Sequence, residues 1–484
     1  MSDKSKNNQD YELQILRGAI GEIENKQGRK KLSNPEVKKI IVIVENFLKK
    51  TKLLCYGGTA INNLLPKSDQ FYDKDVELPD YDFFSPTPVK HAKDLANIYY
   101  KKGYNEVEAK AGMHAGTFKV YVNFIPVADI TYLIPEIYNK LSKKAPSYDG
   151  IYYCNSTFLR MAMYLELSRP DGDVSRWEKV LKRLTLLNKH YPLKGRQCDF
   201  MDIQRLFQYG STNLKLKGGK KRSKEEQDEI LQTIEEKIFQ SVRQTLINQG
   251  CVFFGSYANR MYLKHLPKLT GKKVPHVPDF DVLSEEPKKT AGIIKQSLTN
   301  DIGLKKVNII KHEGIGEIIP EHYEVTVARE TVVFIYKPLE CHSYNEVYID
   351  GKVIKIASLD TMLSLYLAFL FSDRKYYNEN RILCMSEFLF RVQQKNRTSQ
   401  KGILKRFSSN CIGHQHTKEE IRSLKTKRFK ELKDKRGGKE WDWYFLNYKP
   451  GEGKKQSKKT KRNKKNKRKK TRRKKGKHKY GIIF

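Results

Sequence analysis

The sequence predicts an α+β protein built from two tandem copies of one domain, each a mixed sheet with flanking helices, followed by a disordered basic tail. Three observations carry this expectation. A short apolar strand, Leu53-Leu54-Cys55-Tyr56, runs into Gly57-Gly58 and a helix-like stretch that Pro66 stops, and then comes a second strand, Leu78-Pro79-Asp80-Tyr81-Asp82-Phe83-Phe84-Ser85. The same order returns about 200 residues later, as Cys251-Val252-Phe253-Phe254-Gly255-Ser256 and then Val277-Pro278-Asp279-Phe280-Asp281-Val282-Leu283-Ser284. Finally, eighteen of the 39 excess positive charges lie within residues 454–479, where there is no acid at all.

The repeat is specific because three ordered features share nearly one offset. Gly57 to Gly255 is 198 residues, Asp80 to Asp279 is 199 and Ser156 to Ser358 is 202. A period of that size indicates a duplicated domain rather than a solenoid. The boundaries read as an N-terminal helical extension (1–33), a first domain (34–211), a linker (212–229), a second domain (230–395), a basic helical region (396–450) and the tail (451–484).

Along the chain, Gln9–Glu24 is a first helix candidate, and Asn34-Pro35-Glu36 is a helix start with an Asn cap and Pro at the first position. That helix runs to about Lys50 with Ile40, Ile43, Val44, Phe47 and Leu48 on one face. His91–Lys102 reads as a helix and Thr117–Tyr132 as strand. Ser156–Leu167 and Ser175–Tyr191 are helical in pattern. Ser223-Lys224-Glu225-Glu226 is a capping box, and the helix behind it carries Ile230, Ile234, Ile238, Val242 and Leu246 before Gly250 ends it. Asn380–Gln394 is another helix candidate, and Lys401–Lys435 a basic helical surface. Beyond Gly451 there is almost nothing apolar to pack, so the tail is expected to be disordered and to hold nucleic-acid phosphates without reading sequence.

Length and composition set limits. With 484 residues and 38% hydrophobic content the chain has material for two or three cores. Outside 454–479 a net charge of +21 remains, so the body itself calls for a polyanionic partner. Seven cysteines, scattered and without a Cys-x-x-Cys pair, fit a reducing compartment. The longest apolar run, near Met362–Phe371, is short of the ~20 residues that span a bilayer, so no membrane is expected.

The chemistry gathers in the first copy. Strand periodicity puts Asp80 and Asp82 on one face. Asp129 sits in the apolar strand Phe124-Ile125-Pro126-Val127-Ala128-Asp129-Ile130-Thr131 and is the candidate third acid. Carboxylates suit hard divalent cations, and a Gly-Gly turn opening a helix at Thr59 suits a phosphate, so Gly57, Gly58 and Thr59 are the nucleotide-binding candidates. Arg160, Arg176 and Lys179 lie in helices within possible reach of a triphosphate, with solvated helix charge as their competing reading. In the second copy the third acid falls on Glu330 by offset or Glu340 by strand pattern, and Gly-Gly has become Gly255-Ser256; this copy reads as structural. There is no Gly-x-x-x-x-Gly-Lys-Ser/Thr loop for a P-loop ATPase. Cys411-x-x-His414-x-His416 lacks a full zinc set, and Cys341-His342 is a poor nucleophile–base pair.

Strand–Gly-Gly–helix, Asp-x-Asp and a strand Asp together resemble the polymerase-beta-type nucleotidyltransferase superfamily. More finely, GGTAINNLLP with LPDYDFFSP, FLRMAMYLELSRPDGDVSRWEKVLKRL and CHSYN at Cys341–Asn345 resemble the poly(A) polymerase catalytic subunits of large nucleocytoplasmic DNA viruses, mimivirus-like before poxvirus-like. The resemblance spans roughly residues 35–395. It implies tandem nucleotidyltransferase-like domains, the first active and the second degenerate, with Asp80, Asp82 and Asp129 as catalytic metal ligands. It also implies template-independent addition of AMP from ATP to mRNA 3′ ends with two Mg²⁺ or Mn²⁺ ions, a homodimer, and residence in the host cytoplasm (the viral factory) and the virion. A CCA- or U-adding transferase, or an inactive RNA-binding scaffold, are the alternatives.

Overall fold

The computed structural model describes residues 11–13, 15–20, 22–23, 26–27, 34–72, 79, 81–198, 224–266 and 279–451, with the backbone alone over 224–233. Asp80, most of the expected linker with its Ser223 cap, Val277-Pro278 and residues 452–484 lie outside the described residues.

The first copy begins with α1 (Pro35–Thr51), capped by Asn34, whose Oδ1 accepts from the Glu36 amide at 2.9 Å. Its buried face is Val37, Ile40, Ile43, Val44, Phe47 and Leu48. Then come β1 (Leu54–Cys55), α2 (Gly57–Leu64), β2 (Asp82–Ser85), α3 (Pro88–Lys101), β3 (Val107–Ala111), β4 (Thr117–Val122), β5 (Ile125–Tyr132), α4 (Pro135–Ser142), β6 (Ser147–Tyr148), β7 (Ile151–Tyr153), α5 (Ser156–Leu167) and α6 (Trp177–His190). The expected strand 117–132 divides in two because Asn123 and Phe124 take φ 50° and 64°, the left-handed pair of a two-residue hairpin turn. In β4, Phe118, Val120 and Val122 face the core while Thr117, Lys119 and Tyr121 face the other way.

The second copy repeats this order, without a counterpart of α4 among the described residues, with α7 (Lys224–Asn248), β8 (Val252–Phe254), α8 (Gly255–Leu263), β9 (Phe280–Leu283), α9 (Pro287–Asn300), β10 (Val307–His312), β11 (His322–Val327), β12 (Glu330–Tyr336), β13 (His342–Ile349), β14 (Lys352–Ala357), α10 (Leu359–Phe369) and α11 (Glu379–Lys395). Helix α7 therefore takes in the last six residues of the 212–229 segment. The end of the chain adds β15 (Cys411–Ile412), α12 (Lys418–Leu432), α13 (Lys439–Phe445) and β16 (Asn447–Tyr448).

The two sheets have one topology. The first runs β16-β3-β4-β5-β2-β1-β7-β6 and the second β10-β11-β12-β9-β8-β14-β13-β15. In the first, β1 pairs antiparallel with β2 and parallel with β7, and β2 pairs parallel with β5; β8, β14, β9 and β12 repeat all three pairings. Even local contacts recur: Ser85 Oγ meets His91 Nδ1 at 2.6 Å, and Ser284 Oγ meets Thr290 Oγ1 at 3.0 Å, each six residues on.

Helices α5 and α10, equivalent in the two copies, pack on each other, and the Phe158 and Phe371 rings stand 5.1 Å apart. The Tyr164 hydroxyl donates to Gln393 Oε1 at 3.1 Å, and the Ser343 amide to the Ser168 carbonyl at 2.8 Å. Of the expected basic region, only 418–432 is long helix; its flanks are edge strands. β15 joins the second sheet at β13, and β16 joins the first at β3. The chain end thus straps both copies, with Arg406 bound to the buried Asp360 and Lys93 to Asp442 on the way. Four cysteines pair, Cys198 with Cys384 and Cys341 with Cys411. The scattered spacing concealed these pairs, since partners 186 and 70 residues apart leave no local signature. Among the described residues, no helix is long and apolar enough to cross a membrane.

Candidate active site

The site forms where β1 hands the chain to α2. Gly57 has φ +71°, a conformation that costs an L-residue roughly 1–2 kcal/mol. Even without that cost, a Cβ there would stand 2.7 Å from Asp82 Oδ2. The glycine is therefore required twice, by its backbone and by the carboxylate that presses against it. The Tyr56 amide donates to the Asp82 carbonyl at 2.9 Å, which fixes the turn to the start of β2. Tyr56 itself stacks on Phe84 at 3.9 Å, and its hydroxyl meets Thr131 Oγ1 at 2.9 Å.

Asp82 and Asp129 are direct partners across parallel strands β2 and β5. Residues so paired project to the same side of the sheet, and both stay partly open to solvent. Lys119 is opposite Asp129 on β4, and its ammonium ion-pairs with Asp129 Oδ2. The negative field of Asp82 is felt nearby. Burial first, and Asp82 after it, raises the Tyr56 hydroxyl, and burial, Cys154 and Asp82 together hold the Cys55 thiol well above its usual value. Two carboxylates on one open face, with oxygen donors only, fit hard divalent cations.

Gly58 and Thr59, in the first turn of α2, are buried, and among the described residues no side chain caps that helix. Gly58 faces two groups that sequence reasoning did not single out. A Cβ there would meet the Tyr72 hydroxyl and stand 2.9 and 3.0 Å from the Arg183 guanidinium nitrogens. Asn62 Oδ1 accepts from the Phe71 and Tyr72 amides at 2.8 and 2.9 Å and so ties that loop to α2. The signal for Arg183 was one basic residue among several in a helix, which says nothing about which face it takes.

Of the three cations considered from sequence, Arg160 is excluded from a phosphate role. It is buried, donates to Asn188 Oδ1 at 2.7 Å and to the Tyr191 carbonyl, and burial pushes it down to about 10. Arg176 pairs with Glu166 at 3.1 Å, and Lys179 is exposed on α6.

The second copy retains the outline but not the third acid. Gly255 again has positive φ, +65°, and a Cβ there would overlap the Asp281 carboxylate. Strand register places Phe334 opposite Asp281, where Asp129 stands opposite Asp82. Neither Glu330 nor Glu340 takes the third-acid position: Glu330 begins β12 four residues earlier, and Glu340 lies beyond the strand, ion-paired with Arg169. The counterpart of Lys119 is Glu324, which accepts from Thr331 Oγ1 at 2.5 Å and lies 2.8 Å from His312 Nε2. Phe334, Tyr336, His322 and Tyr376 pack together there, with Tyr336 over His322 at 4.5 Å and Phe334 over Tyr376 at 5.1 Å. Asp279 and Asp281 are buried, and among the described residues neither carboxyl oxygen of Asp281 has a hydrogen-bond partner. Burial first, then Asp279, raises Asp281 well above the carboxylate range. The other motifs also resolve. Cys341 and Cys411 are spent on each other, and burial drives the neighbouring His342 down to about 3.

Comparison with known proteins agrees with this geometry. Residues 42–173 match the family model "Poly(A) polymerase catalytic subunit", a segment that holds Gly57, Gly58, Asp82 and Asp129. A putative poly(A) polymerase catalytic subunit of Acanthamoeba polyphaga mimivirus is 34% identical over 163 residues, 33% of this chain and 27% of that protein. One from African swine fever virus (strain Badajoz 1971 Vero-adapted) is 33% identical over 164 residues, 33% of this chain and 34% of its own. The matched segment thus spans about a third or less of these relatives. The crystal structure of the Megavirus polyadenylate synthase superposes with a TM-score of 0.71 over 92% of this chain and 86% of that one, at 21% identity, which establishes a shared fold across both copies. In residues 42–173, set in that two-sheet fold, the chain carries a domain of the poly(A) polymerase catalytic-subunit family.

Proposed function

We propose that the protein is a template-independent polynucleotide adenylyltransferase, adding AMP from ATP to RNA 3′ ends, mRNA among them. The observation that carries this reading is the register pair Asp82–Asp129 beside the Gly57 turn, inside the segment that matches the family.

The reaction needs in-line attack of a 3′-hydroxyl on the α-phosphate of ATP, with pyrophosphate leaving. Asp82 and Asp129, with Asp80 from the same motif, are the residues to hold Mg²⁺ or Mn²⁺; a bound pair of such ions lowers the pKa of the attacking hydroxyl and offsets charge on the leaving group. The chain's own part is positional. Gly57 lets the Asp82 carboxylate and the start of α2 stand against each other, and the positive end of that helix, at Gly58 and Thr59, attracts phosphate oxygens. Lys119 neutralises Asp129 in the free protein and must give up that contact when a cation arrives. The basic body and the Lys/Arg-rich tail attract the RNA backbone.

The test is to incubate the full chain with a labelled 3′-hydroxyl RNA, Mg²⁺ or Mn²⁺ and each nucleoside triphosphate in turn. Long homopolymeric A-tails are expected with ATP alone. A short fixed addition, or tails from UTP, would assign a different transferase, and no extension under any condition would leave an RNA-binding scaffold.

A further inference from the structure

We infer that Arg183, clasped by Tyr72 in the free protein, is the cation that holds the polyphosphate of the incoming nucleotide. The inference rests on the adenylyltransferase reading and adds a residue to it. Arg183 lies beyond the 42–173 segment that matches the family model.

Three features converge on it. Its guanidinium stands against Gly58 in the first turn of α2, the positive end of a helix that no described side chain caps. It is held there by aromatic faces, 4.8 Å from the Phe71 centroid and 5.4 Å from that of Tyr72, and it donates to the Tyr72 hydroxyl at 2.6 Å. The loop carrying both rings is anchored to α2 through Asn62. A neutral phenol oxygen is a weaker acceptor for a guanidinium than a phosphate oxygen is, so an arriving triphosphate displaces Tyr72 from Arg183. Across the Gly57 turn lies Asp82. The turn therefore has acid on one side, suited to cations, and arginine on the other, suited to the anion those cations accompany.

The second copy supplies the control. Counted from the first residue of each helix, Trp177 in α6 and Glu379 in α11, the position of Arg183 corresponds to Met385. Met385 is buried and lies against α8, its sulfur 3.7 Å from Asn259 Nδ2, as Arg183 lies against α2. The copy that has lost the third acid at Phe334 thus also has an apolar residue where the guanidinium stands.

The experiment measures equilibrium binding of ATP, ADP and AMP, with Mn²⁺, to the full chain and to Arg183→Ala, Arg183→Lys and Tyr72→Phe, together with ATP KM and kcat and thermal melting. Arg183→Ala is expected to weaken ATP by about 10- to 100-fold, as loss of charged hydrogen bonds does, while AMP changes less than about twofold. Arg183→Lys restores part of the ATP affinity. Tyr72→Phe binds ATP as well as the parent or better, and the melting temperatures coincide. Equal losses for AMP and ATP in Arg183→Ala, or no loss of ATP, would overturn the inference, as would a lower melting temperature without rescue by lysine. The two readings fail differently. A parent chain that binds ATP but does not extend RNA refutes the adenylyltransferase reading, whereas an extending chain indifferent to Arg183 refutes only this one. A parent that binds no nucleotide refutes both.

Discussion

The two copies share a backbone and differ in what their sheet faces permit. In the first, Asp82 and Asp129 stand side by side, part-exposed, with Lys119 on Asp129. In the second, Asp279 and Asp281 survive, but Phe334 replaces the partner acid, Glu324 replaces the lysine, and aromatic rings fill the face. Burying both aspartates, with no hydrogen-bond partner for the Asp281 carboxyl among the described residues, is costly, so they are not kept for stability. They show how little of the site's outline is specific to chemistry. Strand, positive-φ glycine and Asp-x-Asp can persist as a shell; the third acid and the opening to solvent separate the carboxylate-bearing face from the packed one.

The comparison can be broken first at the third acid. Asp129→Asn is expected to reduce AMP addition by about 10³-fold or more, since losing a ligand of the reacting cation removes most of its effect, yet to leave ATP binding within a few-fold. Rapid-quench extension and equilibrium binding measure the two effects. Phe334→Asp is expected to bring no activity to an Asp129→Asn chain and to lower stability by a few kcal/mol, because it buries a third acid among rings.

The glycines sharpen it next. Gly57→Ala and Gly255→Ala should each cost roughly 1–3 kcal/mol in a thermal or denaturant melt, through positive φ and collision with the adjacent aspartate. Only Gly57→Ala should also slow extension, because only there does the displaced carboxylate have work to do.

Acid separates the copies as well. His322 is buried in the second copy between the Pro320 carbonyl (2.9 Å) and the Tyr376 hydroxyl (2.7 Å), and burial above all lowers it to about 4. A histidine depressed from its ordinary value near 6.5 contributes stability that is complete above about pH 6.5 and drains away as pH falls toward 4, here ~3 kcal/mol. His342, near 3, adds to it in the same direction. Hydrogen exchange should show β11 and β12 losing protection on acidification before β4 and β5 do, and His322→Phe should flatten that slope.

The smallest effect concerns Asp281. Its raised carboxyl favours folding at low pH and loses that contribution as pH rises through its folded value, so at neutral pH the buried carboxyl is a burden. Asp279→Asn and Asp281→Asn should leave the melting temperature at pH 7.5 unchanged or raise it by a few degrees.

Much of this was legible in the sequence, and the illegible part has a physical cause. The duplication and the Asn34 and Pro35 helix start follow from local pattern, and the structure bears them out in α1 and in the matched pairings of the two sheets, whereas the same-face placement of Asp80 and Asp82 lies outside the described residues. Glu330 was the wrong place to look because an offset count ignores a change in loop length, and Glu340 because strand pattern does not set register, whereas hydrogen-bonded register fixes Phe334 directly. Arg183, Tyr72 and Lys119 were missed because each meets the site across chain distances that no period reports. The strap at 405–450 was invisible for a related reason: two-residue edge strands have no periodicity, and their pairing with β3 and β13 is purely tertiary.

The most direct measurement sets the matching aspartates against each other in one chain: the rate of AMP incorporation into a 3′-hydroxyl RNA by Asp82→Asn and by Asp281→Asn, both folded by thermal melt. The account predicts that the first loses extension by about 10³-fold or more, as removal of a metal-holding carboxylate should, while the second extends RNA like the parent. Equal activity in the two variants, or loss confined to Asp281→Asn, would contradict it.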